Sequence, residues 1–600
     1  MDEHPTLTSG RLGALVSATA RRTGPPGTAQ RQWCARVALP VALALWLASL
    51  RGVDLTGMAD LGLLQVLPVL FWVALGLLAL GFCLALSDRR TANGWFAAYV
   101  LGLVAVIHAT PTLLYPTLRY GWAWKHVAIV DAVIRNDGRV PNAGKLDLYN
   151  QWPGFFHLNA FFLQVTGLES SQSIAVWTPP VFNALLLAPL LLIYRAVTRD
   201  RRLIWGAAWV YYSCSWVGQD YFAPQAFAFL LFVTLIALVL AQLPSSARRP
   251  PGSTPTGWPL GRLVIVLLIE GVVICSHPLT PLMMISALVA LSLPRRNRRV
   301  MLPVAAGAVL LTAAWDATVA KPYVSSNLHQ FLGALVQPDA NVVSGLAALG
   351  TAAPGQVQVS WIDRGLSAAV FLLAAVAFLT RSWTRRTGLP LLVLAPLPLL
   401  VANAYGGEMI FRAYLFALPA AAFLVATLFF QWGRRPLLRS LAVYPVLLAL
   451  LGGLLFGYYG KEAANYFTKD EVAAGRFVTA TRPGSLIVSL TSAVPGLDAY
   501  YDKHPHLQLD QQELSDRRRL VRDPLAGLEP FLAHATAAKP AYIVLSRAQA
   551  AECYLNGTLP ADLVQRLESE IPKARGFVTV YRNKDAVVYR YENPSKGGGR

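Results

Sequence analysis

The chain has 600 residues, of which 55% are hydrophobic and 14% charged, with five scattered cysteines and a formal net charge of +20. That is too little charge to cover a soluble protein of this size, too much apolar residue for disorder, and too few cysteines for a disulfide scaffold. Residues 1–460 hold 33 Lys/Arg against 16 Asp/Glu, placed in short runs between apolar segments; this is the pattern of a multi-pass membrane protein, and without a continuous basic stripe nucleic acid is not an expected partner.

Residues 1–34 read as a cytoplasmic arm and an uncleaved approach to the first span. Spans of about 20 apolar residues are expected near 35–50, 62–86, 95–113, 174–194, 203–217, 222–242, 261–276, 279–293, 300–318, 362–380, 388–403, 409–431 and 439–458. The apolar run Phe155–Val165 is too short to cross. If it lies at the membrane face, seven basic clusters fall on the cytoplasmic side: the arm (Arg11, Arg21, Arg22, Arg31), Arg89-Arg90, Arg195–Arg202, Arg248-Arg249, Arg295–Arg299, Arg381–Arg386 and Arg434–Arg439. Residues 153–166 are therefore expected as a surface helix, and 459–600 as external.

The tail differs in character. Thr468-Lys469-Asp470-Glu471 is a capping-box pattern opening a helix to about Thr481. Ser485–Leu490 and Ala541–Ser546 read as buried strands, Ala561–Ile571 as a helix, and Phe577–Tyr581 with Ala586–Tyr591 as a hairpin. The expected fold is mostly α. It is a polytopic transmembrane helix bundle of about 13 spans, with external surface helices in the loop 114–173 and a small C-terminal external α/β domain.

Four polar clusters fall on the external side. The first runs from Tyr120 through Lys125, His126 and Asp131, then on to Trp152; the plain reading of its first half is an interfacial helix anchored by Trp, Tyr and Lys. The second is Trp216–Gln225 with Asp220, and the third is Ser276–Pro281 with His277. The fourth is Asn403–Glu408, with Arg412 one turn into the next span. Glu408 and Arg412 are spaced to pair on one helix face, which also suits a simple helix-end salt bridge. Together the clusters point to a polar cavity at the membrane edge, because charged groups at that depth face a cavity or each other.

This layout resembles the GT-C-type glycosyltransferases, integral membrane enzymes that use polyprenyl-phosphate sugar donors. The segments Tyr120–Gly138 and Tyr149–Gly167, with Trp152-Pro153-Gly154-Phe155-Phe156, are similar to the family's paired surface helices. The Ser276–Pro281 and Tyr405–Glu408 segments look like those of actinobacterial membrane proteins of this type. One feature departs from the pattern. Family members commonly carry an acidic residue beside the tyrosine that starts the first surface helix, whereas here Tyr120 is followed by Gly121 and Trp122, and only His126 matches.

The resemblance implies transfer of a sugar from a polyprenyl-phosphate donor to an envelope glycan or lipid-linked acceptor on the outer face. Such a reaction needs a carboxylate base and a cation at the leaving phosphate. Asp220 is the leading base, with Asp131 second and Glu408 third; Arg412, Lys125 and His277 are candidates for the phosphate, and His126, Trp152 and Gln225 for substrate contact. No D-x-D-type pair is visible, so no metal or other cofactor is predicted. The rival reading is a transporter or scaffold for lipid-linked saccharides, for which Glu270 within a span is the main feature.

Overall fold

The computed structural model describes residues 28–247, 257–335, 352–402, 408–431 and 436–593. Arg11, Arg21, Arg22, Arg248, Arg249, Arg434, Arg435 and residues 403–407 lie outside them, as does most of the expected N-terminal arm.

Three long helices open the chain: α1 (Thr28–Ser49), α2 (Val69–Ser87) and α3 (Asn93–Leu114). Two surface helices follow, α4 (Gly121–Arg135) and α5 (Gly154–Thr166). The bundle continues with α6 (Thr178–Val197), α7 (Arg201–Cys214), α8 (Pro224–Gln242), α9 (Leu260–Ser276) and α10 (Thr280–Ser292). Next come α11 (Arg298–Ala317), α12 (Lys321–Leu335), α13 (Pro354–Thr380), α14 (Leu389–Leu394) and α15 (Leu397–Ala402). It closes with α16 (Met409–Phe429) and α17 (Pro436–Tyr459).

Among the described residues nine helices are long and apolar enough to cross a membrane, where the sequence leads one to expect thirteen. The other four expected spans are the shorter helices α7, α9, α10 and the α14–α15 pair. With 14 residues, α7 rises only about 21 Å, less than the roughly 30 Å hydrocarbon core. Pro278 separates α9 from α10, and Pro396 separates α14 from α15, because proline disfavours helical backbone at the residue before it.

The basic turns gather at one end of the bundle. Arg201 donates to Asn93 Oδ1 at 2.9 Å and Arg199 to the Ala247 carbonyl at 3.2 Å. Arg296 donates to the Arg386 carbonyl at 2.6 Å, and Gly388 packs against Leu240 and Leu243.

The other end carries the surface helices. In α5, Phe155, Phe156, Ala160 and Leu163 are buried, while Leu158, Phe161, Phe162 and Val165 are exposed. Its 13 residues rise about 20 Å, and both its faces are apolar, which suits a helix lying between protein and lipid.

The tail folds as α18 (Lys469–Thr479), strands β1 (Leu486–Ser489) and β2 (His506–Gln508), then helices α19 (Leu514–Arg522) and α20 (Pro524–Leu532). β3 (Ala541–Ser546), α21 (Arg547–Asn556), α22 (Leu563–Glu570), β4 (Phe577–Arg582) and β5 (Ala586–Tyr591) complete it. The sheet order is β2-β1-β3-β5-β4, with β1 parallel to β2 and β3 and the last two strands antiparallel. Thr468 and Glu471 form the expected capping box. Glu471 also accepts from the Ala548 amide at 2.6 Å and from Arg547 at 3.1 Å, so this cap clamps α18 to the start of α21.

Candidate active site

α4 begins abruptly. Tyr120 has φ +69°, a left-handed conformation uncommon for a side-chain-bearing residue. Two contacts hold it there: its amide donates to the Asn465 carbonyl at 3.2 Å and its ring lies 4.2 Å from the Arg119 guanidinium, while its hydroxyl packs over Gly218.

Arg119 is buried and is compensated there. Its Nη2 donates to Glu462 Oε1 at 2.7 Å and to the Tyr458 carbonyl at 2.9 Å. Glu462 Oε2 accepts from the Tyr115 hydroxyl at 2.7 Å. Burial opposes the Arg119 charge, but Glu462 with the Tyr120 and Tyr458 rings outweighs it and holds the guanidinium protonated.

Around this anchor opens a cavity of about 370 Å³ between the bundle and the C-terminal domain. Trp122, Trp216, Gln219 and Tyr458 line it; Asp363, Glu408, Arg412 and Lys461 supply its charges from the bundle, and Glu552 does so from the domain. Arg412 Nη2 donates to Glu408 Oε2 at 2.7 Å, and Nη1 donates to Gln225 Oε1. Both guanidinium edges are therefore aimed by neighbours at the cavity wall.

Asp220 sits beside this cavity rather than in its wall. Its Oδ2 accepts from Asn183 Nδ2 and the Tyr458 hydroxyl, both at 2.8 Å, and lies 2.8 Å from His108 Nδ1. Its Oδ1 is buried and has no partner among the described residues. Burial pushes this carboxyl up, but the His108 contact, Arg119 and Tyr458 more than reverse it and hold Asp220 below the usual carboxylate range. His108 lies in a π-helical turn of α3, Ala105–Ala109; such turns widen a helix locally and re-aim a side chain. Asp220 and Asn183 also border an apolar cleft with Leu186, Phe229 and Leu415, joined to the large cavity through Val217 and Gln219.

The remaining expected residues stand around this core. His277 accepts from the Thr280 amide at 3.2 Å and contacts its hydroxyl at 2.9 Å; burial lowers its basicity, helped by the nearby Arg412 and His126 charges. His126 stacks on Tyr221 at 5.9 Å, and its Nδ1 lies 2.8 Å from the Phe222 carbonyl. Burial pushes it down to about 4, against the pull of that carbonyl. The ammonium of Lys125 lies 4.3 Å from the Trp122 ring, and its charge acts through space on Asp498, Asp510 and Glu552 of the C-terminal domain. Asp131 is half-buried on α4 and pushed up to about 6 by burial. Trp152 packs edge-to-face on Tyr323 at 5.4 Å, which ties the loop to α12.

Of the nine expected site residues, Glu408 and Arg412 thus line the large cavity, Gln225 touches Arg412, and Asp220 borders the adjoining cleft. Lys125, His126 and Asp131 are outside the cavity wall, because α4 turns Tyr120 and Trp122 toward it and buries its next turn against the 221–222 loop; Trp152, packed on Tyr323, and His277, tied to Thr280, are outside it too. Unanticipated members are His108, Asn183, Tyr458, Asp363, Lys461 and Glu552. A lone histidine or asparagine within an apolar span was the available signal for the first two.

The position of the missing acid has a physical explanation. A β-carbon at Gly121 would lie 3.1 Å from the Ser492 carbonyl oxygen, so the C-terminal domain occupies the space a longer side chain needs. Within that domain, Ser489 Oγ lies 2.9 Å from His506 Nε2, and His506 Nδ1 lies 3.4 Å from Asp498, the order of an acyl-transfer triad. Ser489 is 1% exposed, its hydroxyl donates to the Thr491 carbonyl, and Gln549 already accepts from the Leu490 amide that an oxyanion would use. The group is a closed structural tie.

The architecture of surface helices, helix bundle and appended α/β domain is the GT-C fold of membrane glycosyltransferases. No family model matches the sequence, and no curated protein does. Among solved structures, the chain is similar to the oligosaccharyltransferase AglB from Archaeoglobus fulgidus in complex with an inhibitory peptide and a dolichol-phosphate. That match has a TM-score of 0.50 and 13% identity over 79% of this chain and 72% of that one. The Archaeoglobus fulgidus oligosaccharyltransferase tethered with an acceptor peptide matches at TM-score 0.48 and 12% identity, over 82% and 74% of the two chains. ArnT from Cupriavidus metallidurans bound to undecaprenyl phosphate matches at TM-score 0.45 and 14% identity, over 85% and 100%.

Proposed function

We propose that this protein is an integral membrane glycosyltransferase moving a sugar from a polyprenyl-phosphate donor to a glycan or lipid-linked acceptor on the outer face. The observation that carries the reading is Arg412, whose two guanidinium edges are held by Glu408 and Gln225 at a cavity that also contains Lys461. Two cations lining one cavity, one of them paired with Glu408, suit a phosphate that gains charge as it leaves. The GT-C fold, shared with a protein whose structure holds dolichol-phosphate, supports the same donor class.

In this reaction the acceptor hydroxyl oxygen bonds to the anomeric carbon, and the bond from that carbon to the phosphate oxygen breaks. Polyprenyl phosphate leaves with the electron pair, and the hydroxyl proton passes to a carboxylate. Asp220 is the leading base because three groups fix its Oδ2 and keep it ionised; its Oδ1, unpartnered among the described residues but buried, must be uncovered when the acceptor hydroxyl enters. Asp131 stands second, and Glu408 third because it is paired to Arg412. The contacts joining the basic turns at one bundle end support a cytoplasmic placement of that end, with the cavity and residues 459–593 external.

One observation favours a second reading, transport. Glu270 of α9 is fully buried beside Gly307, and neither carboxyl oxygen has a hydrogen-bond partner among the described residues. Turnover separates the two readings. Purified protein in nanodiscs, given a panel of polyprenyl-phosphate sugars, transfers sugar, and Asp220→Asn lowers kcat about 10²–10⁴-fold while the protein stays folded. Movement of such lipids without transfer selects transport, and full activity in Asp220→Asn removes Asp220 as the base.

A further inference from the structure

Resting on the transferase reading, we infer that Asp363 of α13 binds a sugar hydroxyl in the large cavity, a role outside those expected of Asp220, Asp131 and Glu408. Asp363 is 5% exposed, lines the cavity, and has an Oδ1 that is buried with no hydrogen-bond partner among the described residues. Its surroundings explain why no protein donor reaches it. Gly457 of α17 faces it, and a β-carbon there would overlap Asp363 Oδ1 and come within 2.9 Å of Trp216 Cβ. The Trp216 indole N–H is directed elsewhere, donating to Ser367 Oγ at 3.0 Å, one turn along α13. Lys461, on the same cavity wall, acts on the carboxyl through space only.

A buried carboxylate without donors is costly, and buried polar groups are otherwise paired almost without exception. Gly457 and Trp216 close off Oδ1, so the carboxyl meets the cavity through Oδ2, which also has no hydrogen-bond partner among the described residues, and the donor for it comes from what fills the cavity. Beside Asp363 stand the hydroxyl of Ser360, one turn away, and the aromatic Trp216 and Phe411. Hydrogen-bonding groups at an edge next to aromatic faces match the two surfaces of a pyranose or furanose ring, polar at the hydroxyls and apolar at the C–H face. The donor sugar and a sugar acceptor share this chemistry, and kinetics tell them apart.

The full-length protein in nanodiscs is assayed with polyprenyl-phosphate monosaccharides as donors and octyl glycosides as acceptors, measuring kcat and both KM values for wild type, Asp363→Asn and Asp363→Leu. Loss of a hydrogen bond to a charged group predicts that Asp363→Leu raises one sugar KM about 10- to 100-fold, with a smaller fall in kcat. A rise in the acceptor KM assigns the hydroxyl to the acceptor, and a rise in the donor KM to the donor; Asp363→Asn, which keeps one acceptor oxygen, falls between wild type and Asp363→Leu. Thermal stability provides a readout that a structural carboxylate would move the other way. Removing an uncompensated buried acid leaves the Tm unchanged or raises it, and a large drop would overturn the inference. So would both KM values staying within about twofold of wild type, or a collapse of kcat with neither KM changed. If wild type transfers nothing, the transferase reading fails on its own, and equilibrium binding of octyl glycosides decides this point: equal affinity in wild type and Asp363→Leu refutes it, and loss of binding in Asp363→Leu sustains it.

Discussion

Replacing Glu462 with glutamine keeps the size of the side chain and removes only its charge. In the folded protein this carboxylate is fully buried, 2.7 Å from an Arg119 that is itself 7% exposed, and it also meets Tyr115 at 2.7 Å and Asn465 at 3.2 Å. Glutamine at this position leaves the guanidinium desolvated beside a neutral amide. Breaking one side of a buried ion pair costs about 3–5 kcal/mol, whereas replacing both partners with apolar groups of similar volume is often neutral. At tenfold per 1.4 kcal/mol, hydrogen-exchange protection of amides opening with segments 115–125 and 456–467 should fall by about a hundredfold to a few thousandfold. The double variant Arg119→Met/Glu462→Leu should recover most of that protection. It should not recover transfer, because Arg119 Nη2 also holds the carbonyl of Tyr458, whose hydroxyl grips Asp220 at 2.8 Å. Exchange measured by mass spectrometry in nanodiscs tests both halves. A loss below about threefold in Glu462→Gln, or a double variant weaker than either single one, would refute the view of this pair as a compensated charge.

Arg412→Lys retains the charge but not the planar fork that spans Gln225 and Glu408, so the donor KM should rise about tenfold with the fold intact; an unchanged donor KM would detach Arg412 from the phosphate. His126, neutral when folded with a value of about 4 against an ordinary 6.5, gains its proton mainly on unfolding. Stability should therefore decline as the pH falls from about 6.5 to about 4 and level off below, by up to about 3 kcal/mol. His126→Gln should flatten that slope in a Tm-against-pH series, and an unaltered slope would assign the acid sensitivity elsewhere.

What was legible in the sequence is local in the chain. The capping box at Thr468 and Glu471 spans three residues, and Glu408 and Arg412 are four apart; each could be read as a spacing and each is formed. Apolar length also reported the long spans, but it gave no account of helix shortness where proline or a turn interrupts an apolar run, as between α14 and α15. The core of the site was hidden because its contacts are remote. Asp220 meets Asn183 across 37 residues and Tyr458 across 238, and neither partner belongs to a recognisable motif. Asp363 carried less signal still: one acid in an apolar helix looks the same whether it faces lipid, protein or substrate. Its place on the cavity wall, with Gly457 and Trp216 packed against it, appears only in the fold.

The contact between Gly121 and the Ser492 carbonyl limits how this protein can be re-engineered. Restoring an aspartate beside Tyr120 by substitution at Gly121 would press its β-carbon to 3.1 Å from that carbonyl oxygen, so the seam between the first surface helix and the C-terminal domain must open by a few tenths of an ångström to admit it. The loop and the domain behave as two halves of one mould. A chimaera that borrows the acidic loop from a GT-C glycosyltransferase gains that room by taking the matching 491–493 segment with it.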